Sequence, residues 1–154
     1  MVEDVEKVPV ETRTDCKGLP DIIEDWLEED VLELIGVNPD QVAPLRRVHP
    51  GAYADVGVEA GYTTHEQVER EKAEAWQSPG QLREALLALR AAIVRLQADS
   101  PRTRSIRRRL LEDGGNIWKE YLKELPYYDV EVQDAIAVCD WAETQGKQVT
   151  LMAW

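Results

Sequence analysis

Apolar residues recur at three- and four-residue steps through most of this chain, and only its two ends alternate. Ile22, Ile23, Trp26, Leu27, Val31, Leu34 and Ile35 keep the helical period, while Asp21, Asp25, Glu28 and Glu29 fill the other side. The pattern predicts one amphipathic helix from Asp21 to Ile35, with Pro20 in its first turn and Gly36 as its stop. Asn38-Pro39-Asp40-Gln41 then reads as a cap, a first-turn proline and a reciprocal Gln, opening a short helical turn that ends before Pro44. Residues 45–62 look extended and loop-rich: His49-Pro50-Gly51 makes a turn, and Gly57 and Gly61 erode any strand that Tyr53, Val56 and Val58 suggest.

Further on, Thr63 with Glu66 and Thr64 with Gln67 form two overlapping capping boxes at the head of a charged helix that runs to about Trp76. Ser78-Pro79-Gly80-Gln81 caps the next. In it Leu82, Leu86, Leu89, Ile93 and Leu96 make one apolar stripe, and Leu87, Ala91 and Val94 a second. A helix apolar on two faces belongs between neighbours, so residues 79–98 are expected at the centre of the core. Ser100-Pro101 starts a basic helix whose inner side is Ile106 and Leu110, and which Asp113-Gly114-Gly115 ends. Asn116 then caps a short helix with Ile117, Trp118, Tyr121, Leu122 and Leu125. After Pro126 a last helix turns Val132, Ala135, Ile136, Cys139 and Ala142 inward and stops at Gly146.

Alternation at the ends suggests an edge strand near residues 7–12, where Pro9 is tolerated, and a clearer one at 148–154. With no repeat and no linker, residues 1–154 form a single expected domain. Its expected class is α+β and predominantly helical. A helical bundle surrounds the central helix, and a small peripheral sheet joins the N- and C-terminal segments.

Composition sharpens this picture through charge. The 154 residues carry 18 Lys+Arg and 30 Asp+Glu, a net charge of −12, with 44% apolar residues. That apolar share is too high for a disordered acidic tail, and no run approaches a membrane span. No apolar segment follows a basic amino terminus, so a cytoplasmic protein is expected, with Cys16 and Cys139 as reduced thiols rather than a disulfide framework. The acidity is lopsided: residues 1–45 hold 13 acids and 3 bases, and residues 81–154 hold 11 of each. Arg102, Arg104, Arg107, Arg108 and Arg109 stand together without an acid among them.

Catalytic signatures are scarce. His65 and Glu69 share a helix face with Glu66 beside them, yet the second histidine of an HExxH site is missing, so a solvated helix start outweighs a metal site. His49 and His65, if they meet near Glu69, Asp55 or Glu59, would make an acid–base cluster in a ligand pocket. GxSxG, GxGxxG and the phosphate-binding loop are absent. Cys139 faces inward as an inert thiol, and Cys16 sits in a loop expected to be exposed, with no histidine near in sequence. No cofactor or metal is implied, and an enzyme is the less supported reading.

Two charged constellations remain. Glu24, Asp25, Glu28, Glu29 and Glu33 form a ladder on the outer side of the first helix, suited to a basic protein partner and weighed against an ordinary solubility face. Trp26 can anchor such a contact, although its place on the apolar side favours the core. Arg104, Arg107 and Arg108 can grip phosphate, with Trp118 and Tyr121 near enough to stack on bases, but the net negative charge speaks against nucleic acid. The leading expectation is a small acidic interaction protein of the immunity or inhibitor type, monomer or homodimer, with no membrane partner. A His/carboxylate pocket and a phosphate or nucleic-acid binder are the alternatives.

Overall fold

The computed structural model describes residues 1–16, 18–51 and 53–152, and only the backbone of Asp21 and Tyr53. Among the described residues eight α-helices run as α1 (Gly18–Trp26), α2 (Glu29–Ile35), α3 (Pro39–Val42), α4 (Tyr53–Glu59), α5 (His65–Ala75), α6 (Pro79–Gln97), α7 (Pro101–Lys123) and α8 (Leu125–Thr144). A 3-10 turn at Ala43–Arg46 follows α3, and two short strands are β1 (Val48–His49) and β2 (Leu151–Met152). The predominantly helical α+β class is as expected.

Local signals set most helix starts. The side chains of Asn38, Thr64, Ser78 and Ser100 each accept a backbone N–H of the helix they open, satisfying donors that have no intrahelical partner. Of the two candidate caps before α5, Thr64 is the one used, while the Gln67 amide donates to Glu71. Gly36 ends α2 with φ 74°, a left-handed conformation in which a side chain is strained. Gly115 interrupts α7 with φ 59° and ψ −134°, so the basic helix stops and restarts there.

Four expectations are corrected. The helix foreseen from Asp21 to Ile35 is two helices, because Glu28 has ψ 139°. At about 100° per residue a continuous helix would place Leu32 far from the Ile22–Leu27 stripe; the break turns it inward, and it is fully buried. Residues 7–12 form no strand, and the chain ends pair instead through an antiparallel bridge between Val2 and Val149. Met1 donates its amino group to the Thr150 carbonyl at 2.9 Å, and Thr150 N–H donates back to Met1 at 3.0 Å. The two-stranded sheet is parallel, β1 with β2, in the register Val48–Leu151 and His49–Met152; of the expected last strand, Ala153 and Trp154 lie outside the described residues. The supposed loop at 45–62 contains α4.

The fourth correction concerns α6. Leu82, Ala85, Leu86, Leu89, Ala92, Ile93 and Leu96 are buried, and α6 packs most extensively on α8, with α3, the 3-10 turn and α7 as further neighbours. Its second apolar stripe is only partly covered: Leu87 is 41% and Val94 49% exposed. The helix is central to the packing from one side only.

Candidate functional site

The acidic helix α1 is held to the body at three points. At its N-terminus the Gly18 N–H donates to Glu131 Oε1 at 3.1 Å. A Cβ on Gly18 would stand 2.6 Å from Glu131 Oε2, so a side chain there would force the carboxylate to shift. Along its length, fully buried Trp26 stacks at 5.2 Å from Trp118, and the Tyr121 hydroxyl donates to Asp25. At its C-terminal end the guanidinium of Arg46 donates to the Leu27 carbonyl. The loop before α1 is pinned as well. Asp134 accepts from the backbone N–H groups of Arg13 at 2.8 Å and Thr14 at 2.7 Å, and from the Thr14 hydroxyl at 3.0 Å.

Glu131 and Asp134 are therefore buried acids of α8 that anchor the acidic front of the chain, a role missing from the sequence reading. One signal was present: Glu131 lies three residues after Tyr128 and four before Ala135, on the inward stripe, where an acid requires a polar partner. Tyr127 also bonds Glu131, which raises the phenol's pKa. Cys16, expected in an exposed loop, is half-buried here with φ 56°. Its thiol lies 3.6 Å from the Glu131 carbonyl, and burial is the largest of the causes that raise its pKa. Cys139 is buried as expected, its pKa pushed up to about 12 chiefly by that burial. Among the described residues, Asp134 and Glu131 raise the Cys16 pKa further, and Asp140 and Glu143 that of Cys139.

Anchored in this way, α1 and α2 turn Glu24, Glu28, Glu29, Asp30 and Glu33 to solvent. They do not make a ladder on one helix: Glu24 is on α1, Glu28 at the break, and the others on α2. Asp25 is half-buried and engaged by Tyr121, whereas Asp30 joins the exposed set because of the break. Among the described residues none of these five exposed carboxylates lies within 4 Å of a cationic side chain. The arginines are directed elsewhere. Arg46 meets the end of α1, and Arg95 donates to the Ile35 carbonyl at 3.0 Å, at the end of α2. Arg107 donates to the Leu96 carbonyl in the last turn of α6 at 3.4 Å. Each thus places positive charge at the negative pole of a helix. α2 packs against α7, yet the 102–109 arginines do not clasp its acids.

Arg104, Arg107 and Arg108 share the wall of one groove, of about 480 Å³, where the end of α6 meets α7. Trp118 and Tyr121 do not join them for base stacking. Trp118 is buried and Tyr121 half-buried, and both pack edge-on within an aromatic cluster that includes Trp26.

The two imidazoles are brought into one neighbourhood, since both act on Glu69. Glu69 bonds Lys72 at 2.8 Å, which lowers its pKa, and the charges of His65 and His49 lower it slightly further. Asp55 acts on Lys72 from α4. His49 accepts from the Gly51 N–H at 3.1 Å through Nδ1 and lies edge-on to Trp76 at 6.4 Å. Its pKa is lowered by burial first and by Lys72 second. His65 and Glu69 are exposed, and Lys72 takes up the carboxylate. Among the described residues no cluster of three or more His, Cys, Asp or Glu is placed to hold a metal ion, and no helix is long and apolar enough to cross a membrane.

Comparison of the chain with protein families, with characterised proteins and with solved structures gives no match.

Proposed function

We propose that this protein binds a basic protein partner through the exposed carboxylates of α1 and α2, in the manner of an inhibitor or immunity protein acting in the cytoplasm. The observation that carries the reading is that Glu24, Glu28, Glu29, Asp30 and Glu33 face solvent with no cation within 4 Å among the described residues, in a segment of net charge −10. Clustered like charge destabilises the compact state and is tolerated where a partner of opposite sign relieves it. Three features support a rigid docking face: the Glu131 bond at the head of α1, the Trp26–Trp118 contact in its middle, and the arginines at the ends of both helices. A preorganised face loses less conformational freedom on binding.

The test compares wild type with the Glu24→Lys/Glu28→Lys/Glu29→Lys/Glu33→Lys variant as immobilised baits in cell extract, circular dichroism confirming that both are folded. Wild type is expected to retain proteins of high isoelectric point at low salt and release them as salt rises, with the variant losing them. Association rates of a purified captured partner should fall by about 10-fold or more. Equal retention by both baits, or retention of acidic proteins only, would overturn the proposal.

A further inference from the structure

A second site lies away from the acidic face, where α7 begins. Arg104, Arg107 and Arg108 follow the i, i+3, i+4 spacing that puts three side chains on one face of a helix, and all three line the groove of about 480 Å³ at the α6–α7 junction. Ala98 and Leu111 supply its apolar lining, and Leu111 is 40% exposed.

The positive charge in this groove is poorly compensated. Arg104 meets Asp99 at 2.5 Å, but the side chains are 61% and 88% exposed, and an ion pair in such a setting contributes little. Arg107 is oriented by the Leu96 carbonyl at 3.4 Å, which fixes its direction and leaves its charge unneutralised. Among the described residues no acid lies within 4 Å of Arg102, Arg108 or Arg109. Arg104 also stands in the first turn of a helix whose N-terminus already carries partial positive charge, an arrangement that costs stability until an anion arrives.

We propose that this groove binds a phosphoryl group, carried by a small organic phosphate whose apolar part rests on Ala98 and Leu111. The planar forks of Arg104 and Arg108 match phosphate oxygens in pairs, as a lysine would not. Arg107, held by α6, adds charge from a fixed position. The burial of Trp118 removes the stacking partner that a single nucleic-acid strand would use, which favours a small phosphate ester over a polynucleotide.

The experiment is an amide and guanidinium NMR titration with phenyl phosphate, pyrophosphate and a single-stranded oligonucleotide in separate arms, at constant ionic strength with chloride as the reference anion. Phenyl phosphate is expected to shift resonances within residues 96–111, with a dissociation constant of about 1 mM or tighter. It should also raise the melting temperature above the chloride reference. Arg104→Ala/Arg108→Ala, at exposed positions, should weaken binding by about ten-fold or more, and Arg104→Lys/Arg108→Lys by less. Oligonucleotide binding that is stronger than that of phenyl phosphate and lost in the same alanine variant overturns the small-ester proposal and assigns the groove to nucleic acid. Shifts no larger than those with chloride, or shifts unchanged in the alanine variant, overturn it.

Discussion

Replacing Gly114 by alanine tests how the acidic front is held to the body. A Cβ there would run into Cδ1 of Trp118 and stand 2.7 Å from its Nε1 and 2.9 Å from its Cγ, well inside the roughly 3.5 Å at which such atoms attract. The indole, 5% exposed and 5.2 Å from Trp26, must therefore shift by about 1 Å or more. Forcing extra volume into a packed interior costs about 1–3 kcal/mol. Disturbing the ring pairs that Trp118 makes with Trp26 and Tyr121 adds about 0.5–1.5 kcal/mol each. Alanine's better helix propensity offsets about 1 kcal/mol. A net loss of about 1–5 kcal/mol follows, which lowers the melting temperature of a chain this long by roughly 2–20 °C. Thermal and urea unfolding followed by circular dichroism measure it. Gly61→Ala is the comparison: φ is +77° with nothing within 4 Å of the added Cβ, so backbone strain of about 1–2 kcal/mol is all it should show. Because Trp118 packs on Trp26 of α1, Gly114→Ala should also weaken partner capture. A melting temperature within about 2 °C of wild type would falsify the packing argument and leave the rigidity of α1 unexplained.

Two further outcomes follow from the anchoring groups. Asp134→Ala removes the acceptor of two backbone N–H groups and a hydroxyl, so stability should fall by about 2–4 kcal/mol. Hydrogen exchange at Arg13 and Thr14 should accelerate at the same time, and unchanged protection there would show that the loop does not depend on α8. For His49, whose pKa in the folded chain lies below 6.5, the unfolded chain takes up a proton first as pH falls. Its contribution to stability is thus present above pH 6.5 and lost on acidification through the lower folded value. Protonation also removes Nδ1 as acceptor for Gly51. An NMR titration should give a midpoint below 6.5 that rises in Lys72→Met, since burial is the first cause of the shift and Lys72 the second; a midpoint at or above 6.5 would refute this.

Interactions confined to a few neighbouring residues were legible before any coordinates. Asn38, Thr64, Ser78 and Ser100 cap helices because a short polar side chain reaches the N–H two or three residues on, whatever the rest of the chain does. The stop at Gly36, the interruption at Gly115, the inward stripe of α8 and the negative charge of residues 1–45 were equally local or compositional. The acidic residues were identifiable from that charge imbalance, but whether arginines would cover them was not. Only the tertiary structure decided that Arg46, Arg95 and Arg107 reach helix ends, and that the guanidinium groups of 104, 107 and 108 share a groove. It also decided that α1 breaks from α2 so that Leu32 turns inward, that Leu87 and Val94 stay partly exposed, and that Glu131 and Asp134 fasten a segment more than a hundred residues away. Periodicity states which faces of an element are fit for burial. Which of them is covered depends on the element that arrives opposite, and that choice is made by packing across the whole chain.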